Sequence, residues 1–132
     1  MNVLVIAEHN NNELLPATLN IVNAANQIGT FDLFVIGNEC QDVINTGSKI
    51  DGLNQVLFCN DKAYENPLAE NTSILIQSIS KDYSHILFAN TANGKNTAPR
   101  LAALLDVMII PDVIEIIDDA TFKRPIYAGN AI

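Results

Sequence analysis

Four short apolar runs recur along the chain: Val3 to Ala7, Leu33 to Ile36, Val56 to Cys59 and Ile86 to Ala89. Each is rich in Val, Ile, Leu or Phe and nearly continuous. A strand with one face in water alternates apolar and polar residues. A strand covered on both faces does not, because both sets of side chains are buried. Between these runs lie segments with helical spacing. Strand and helix alternate, so the expected fold is a three-layer α/β domain with a doubly wound, mostly parallel sheet.

The helical segments carry their own start and stop signals. Leu15, Leu19, Val22 and Ala25 fall on one face of a first helix, with Pro16 confined to its first turn and Gly29 ending it in a left-handed conformation. Val43 and Ile44 mark a shorter helix that closes near Gly47. Asn66-Pro67 starts a third, with Leu68, Thr72, Leu75, Ile76 and Ile79 as its stripe. A fourth follows the last apolar run, capped by Asn96 or Thr97, with Pro99 in its first turn. Its core face is Leu101, Leu104 and Leu105.

The C-terminal part reads differently. Val113 to Ile117, Asp118-Asp119-Ala120 and Phe122 to Tyr127 suggest a C-terminal β-hairpin. Pro125 has no N–H to donate and places the second arm at an edge or a bulge. No repeat, linker or low-complexity segment interrupts residues 1–132, which read as one domain. The closing residues Gly129-Asn130-Ala131-Ile132 supply neither a final helix nor a polar tail. They are expected to be a cut through a longer protein.

Composition supports a packed core, with 48% hydrophobic and 17% charged residues. The net charge of -8 argues against nucleic acid, whose binders supply Lys and Arg to phosphates, and against an anionic membrane surface. No apolar stretch approaches the roughly 20 residues of a membrane helix, so no membrane insertion is expected. The opening run has no preceding positive residues and is too short for a signal peptide, which points to an intracellular protein or a mature organelle protein. Cys40 and Cys59 are too few for a disulfide scaffold. Cys59 reads as a core thiol. Cys40 precedes a helix that could favour a thiolate, but no partner accompanies it.

Ligands of open parallel sheets sit beyond the carboxyl ends of the strands. Two loops are expected there: Glu8-His9 after the first strand, and Asn90 to Thr97 after the fourth. Gly94-Lys95-Asn96 resembles part of a phosphate loop, but position 89 is Ala rather than Gly and Asn96 stands where Ser or Thr is needed. A weak anion site at Gly94, Lys95, Asn96 and Thr97, aided by Arg100, is the alternative to simple helix capping. Glu8 and His9 could form an acid-base pair, yet no nucleophile or nucleophile elbow accompanies them, and His9 reads more readily as a structural hydrogen-bonder. His9 and His85 are the two histidines, with no close Cys or His pair, so no metal site is expected. His85 reads as structural. No dinucleotide fingerprint follows the first strand, and no catalytic site emerges.

Several stretches together resemble the alpha subunit of electron-transferring flavoproteins. They are Val3 to His9, Leu15 to Asn20, His85 to Ala89, Gly94 to Asn96, Pro99 to Ala103, Pro111 to Ile114 and Arg124 to Ala131, in that order over nearly the whole chain. The resemblance implies an N-terminal domain with an adenine nucleotide alpha hydrolase-like fold. It implies an alpha/beta heterodimer that carries electrons from flavin dehydrogenases to a membrane or soluble acceptor. FAD would be held mainly by a C-terminal domain beyond Ile132, and AMP by the beta subunit, so neither is expected on these residues. Gly94 to Thr97 would then be the vestige of a nucleotide loop. A bacterial cytoplasmic or mitochondrial matrix location follows from the same resemblance.

Two other functions fit the same fold. One is a stand-alone adenine-nucleotide-binding module of the stress-protein type. The other is a hydrolase using Glu8 and His9. Fold alone does not choose among them.

Overall fold

The computed structural model describes residues 2–66, 68–89, 91–106, 110–113 and 124–128. The elements are β1 (Val3–Ile6), α1 (Pro16–Ile28), β2 (Phe31–Gly37), α2 (Gln41–Gly47), β3 (Leu53–Asn60), α3 (Ala69–Ile79), β4 (His85–Ala89), α4 (Ala92–Leu105), β5 (Ile110–Val113) and β6 (Arg124–Ala128). They form one six-stranded sheet in the order β3-β2-β1-β4-β6-β5. Each strand pair is parallel. The four apolar runs are therefore strands, as their composition requires.

Alternate residues of each central strand face opposite layers. Val3, Val5, Leu33, Val35 and Leu87 join α1 and α2 in one core. Leu4, Ile6, Phe34, Ile36, Ile86 and Phe88 join α3 and α4 in the other. Burial on both faces explains the lack of polar alternation in β1, β2 and β4. The edge strand β3 is more open, and Cys59 is only partly buried there against the second core. Cys40 is fully buried, and burial raises its thiol pKa, so the helix that follows does not make it a thiolate.

Among the described residues, the C-terminal strands do not pair as the expected hairpin. β6 pairs parallel with β4, with Ile86 opposite Pro125, and β5 pairs parallel with β6 on its outer side. Two strands joined by a tight turn must run antiparallel, so parallel pairing excludes that turn. The expected arm over Val113 to Ile117 lies mostly outside the described residues, and so does the expected turn. Pro125 is consequently in an interior strand. The β5 register reaches β6 only at Ile126, so Pro125 precedes that ladder while lying opposite Ile86 of β4.

The helices depart from their sequence patterns in informative ways. Pro16 does open α1, where its missing N–H is harmless. The buried face of α1, however, is Thr18, Ile21, Val22, Ala24 and Ala25, and Leu19 is 53% exposed. The Thr18 hydroxyl sets this rotation. It donates to the Glu8 carbonyl at 3.0 Å and accepts the Glu8 N–H at 2.9 Å. Gly29 ends α1 with φ 159° and ψ -156°, an extended glycine conformation rather than a left-handed helical one. Leu68 precedes α3 and is exposed, and Leu104 is 44% exposed rather than part of the core. The Asn66-Pro67 start signal thus lies just before α3, with Pro67 itself outside the described residues.

Helix α4 begins earlier than the pattern suggested. Thr91 is its cap, with the Thr91 hydroxyl accepting the Gly94 N–H at 3.2 Å. Pro99 therefore lies inside the helix. It has no N–H for the Lys95 carbonyl four residues earlier, a cost of about 3 kcal/mol in an isolated helix. Burial of the neighbouring Ala98 and Leu101 in the second core opposes that cost.

Candidate functional site

The strand order reverses between β1 and β4, and the chain parts there to leave a crevice at the carboxyl ends of the strands. A cleft of about 470 Å³ occupies that position. Its floor is made by Ile6, Ile36, Phe88 and Ala89, the last residues of β1, β2 and β4. One wall is the loop from Glu8 to Asn11. The facing wall is the start of α3, with Leu68, Ala69 and Thr72, together with the first turns of α4, with Asn93, Asn96 and Thr97. The two segments singled out by sequence therefore do meet, the second as the start of α4.

The first wall is held by hydrogen bonds. His9 Nε2 lies 2.8 Å from the Ile36 carbonyl, and the Asn11 N–H donates to His9 Nδ1 at 2.9 Å. A carbonyl only accepts and an amide N–H only donates, so His9 is the neutral tautomer with its proton on Nε2. Burial lowers its pKa, and the bond to Ile36 opposes that shift. Asn11 adopts a left-handed conformation, φ 73°, which its short amide tolerates. Its Oδ1 accepts the Asn38 N–H at 3.1 Å and its Nδ2 donates to the Glu65 carbonyl at 3.3 Å. Gly37 makes this possible: a Cβ there would stand 2.5 Å from Asn11 Oδ1 and 2.7 Å from His9 Cε1. With both ring nitrogens engaged, His9 is placed as a strut, which counts against the hydrolase reading.

Glu8 crosses the switch point. Its Oε1 accepts from the Thr91 hydroxyl, the same hydroxyl that caps α4. Burial raises the Glu8 pKa, and the bond from Thr91 partly offsets this. A raised folded-state pKa means the fold favours the protonated acid. The corresponding stability is complete below the unfolded value and is lost as pH rises through the folded one. Glu8→Gln keeps the acceptor and removes the charge. It should therefore melt higher than the wild type near neutral pH, and the difference should vanish below about pH 4. Parallel thermal melts across this range check it. A variant that melts lower at neutral pH would show that the carboxylate charge is stabilising.

The stretch Gly94, Lys95, Asn96 and Thr97 is not a loop. It forms the first turns of α4. Gly94 is needed for contact with β4, since a Cβ there would lie 1.9 Å from the Ala89 carbonyl oxygen. Thr97 is buried against α3, where the Ser73 hydroxyl approaches its carbonyl at 3.3 Å. Lys95 and Arg100 do not line the cleft, and Arg100 pairs with Glu70 at 3.7 Å on the exposed outer surface. Among the described residues, the charged side chains that line it are Glu8 and Glu65, both acidic. Among the described residues no cluster of His, Cys, Asp or Glu could hold a metal ion. No helix among them is long and apolar enough to cross a membrane. His85 is buried at the start of β4, with the Ser84 hydroxyl 2.8 Å from its Nδ1.

Sequence reasoning missed Thr91, Thr18 and Asn11. Threonine is a favoured helix cap, but Asn96 and Thr97 are favoured caps too and stand closer to the leucine stripe.

A doubly wound α/β domain with its crevice at the β1–β4 switch point is thus the class that fold and site define. The electron transfer flavoprotein domain model matches residues 3–132, and the chain belongs to that family. It is 49% identical over 133 residues to an electron transfer flavoprotein subunit alpha of Pseudomonas aeruginosa, covering all of this chain and 43% of that protein. It is 43% identical to the Paracoccus denitrificans subunit alpha, again covering all of this chain and 43% of the relative. A mitochondrial subunit alpha of Dictyostelium discoideum is 43% identical, with 98% of this chain and 39% of the relative covered. The chain therefore spans less than half the length of these relatives.

Proposed function

We propose that these residues form the N-terminal domain of an electron transfer flavoprotein alpha subunit, and that this domain is a non-catalytic scaffold that docks on a beta subunit. The observation that carries the reading is the family match over residues 3–132, with identity of 49% to a named alpha subunit. FAD would belong to a further C-terminal domain, and AMP to the beta subunit. Flavin dehydrogenases would supply the electrons. The net charge of -8 suits docking on a basic or neutral partner surface. The stand-alone adenine-nucleotide module is disfavoured by the acidic lining of the cleft and by the contact that Gly94 makes with β4.

Mixing the purified chain with a flavoprotein beta subunit should give a complex that co-elutes on size exclusion. The chain alone should be colourless. Folded chain that fails to co-elute would refute docking, and stoichiometric FAD absorbance on the chain alone would refute the scaffold role.

A further inference from the structure

The cleft at the β1–β4 switch point has an uneven distribution of hydrogen-bonding capacity. On the Glu8 to Asn11 wall, the polar side chains are engaged. Asn10 Oδ1 accepts from the Asn12 and Glu13 amides at 3.0 and 2.7 Å, and Asn11, His9 and Glu8 hold the partners described above. On the facing wall, the side chains of Thr72, Asn93 and Asn96 hold no hydrogen bond to another described residue. They are a hydroxyl and two carboxamides, which offer donors and acceptors together. Beneath them lies the apolar floor of Ile6, Ile36 and Phe88.

We propose that this cleft binds an uncharged, nucleoside-sized ligand and discriminates against the phosphorylated form. A space of about 470 Å³ is of ligand size, and an apolar floor with a few convergent polar groups is the usual composition of a small-molecule site. A carboxamide matches the adjacent donor and acceptor on the edge of a base, as in adenine recognition by Asn. Phosphate is disfavoured by charge. Among the described residues, the two charged side chains lining the cleft are carboxylates, and Arg100 is turned outward to Glu70. At the start of α4, the Gly94 amide that would face an anion is already held by Thr91.

The test is calorimetric titration of the chain with adenosine and, separately, with AMP at the same ionic strength. Saturable binding of adenosine is expected, with AMP weaker by about tenfold or more. Asn96 is exposed, so Asn96→Ala should leave the thermal melt unchanged and weaken adenosine binding by about tenfold. Asn93→Ala probes the same wall if the first variant melts early. Asn12 lies outside the cleft, and Asn12→Ala should bind as the wild type does. Absence of saturable heat with adenosine up to its solubility limit overturns the proposal. So does AMP binding as tight as adenosine, or adenosine affinity unchanged in both cleft variants. None of these results bears on co-elution with a beta subunit, so the two readings fail separately.

Discussion

Replacing Gly94 by alanine should destabilise the domain by about 3 kcal/mol, the upper part of the range for overpacking. Helix propensity alone gives the opposite sign, since alanine is better than glycine in a helix by about 1 kcal/mol. The contact decides between them. The added Cβ would lie 1.9 Å from the Ala89 carbonyl oxygen and 3.0 Å from the Ala89 carbonyl carbon. Both atoms belong to the backbone of β4, which is held on one side by β1 and on the other by β6. The strand cannot yield cheaply, so the first turn of α4 must withdraw. That withdrawal pulls Thr91 away from Glu8 and opens the cleft. Urea unfolding of Gly94→Ala checks this. A loss within about 0.5 kcal/mol, typical of a surface substitution, would show that the helix and strand separate easily.

Phe88→Ala should cost about 3–5 kcal/mol, the usual range for removing a buried aromatic ring. Phe88 is 1% exposed, packs in the second core with Ile76 and Leu101, and supplies part of the cleft floor. Its loss would join the cleft to the core, where water would meet Ile76 and Leu101. Phe88→Leu, which retains most of the volume, should cost less. Comparing the two urea midpoints separates packing from any role of the ring as such. A cost below about 1 kcal/mol for the alanine variant would mean that the floor is loosely packed.

The strands were legible because the signal is local and strong. Val3 to Ala7, Leu33 to Ile36 and Ile86 to Ala89 lack polar alternation, and only a strand buried on both faces tolerates that. Helix faces were less legible. In α1 the leucine stripe and the true buried face differ by little in rotation, and the pair of bonds between Thr18 and Glu8 decides between them. Likewise Thr91, Asn96 and Thr97 are all chemically able to cap α4. The choice of Thr91 rests on Gly94 reaching Ala89, a contact no spacing rule contains. Glu8 and His9 were correctly placed at the carboxyl edge. Their roles became visible only through Ile36 and Thr91, which are distant in sequence, and through the local turn at Asn11.

What residues 1–132 determine alone is the alternation of strands and helices, the two-sided burial of β1, β2 and β4, and the family to which the chain belongs. Those properties are written in local composition and in the order of short motifs. Tertiary structure decided the rest: which loops meet at the switch point, which hydroxyl caps α4, and how β6 enters the sheet. The C-terminal strands show the reason. An apolar segment does not encode its partner or its direction. Those depend on which edge is open once the other strands have packed, and β4 offered an edge where β6 could lie parallel.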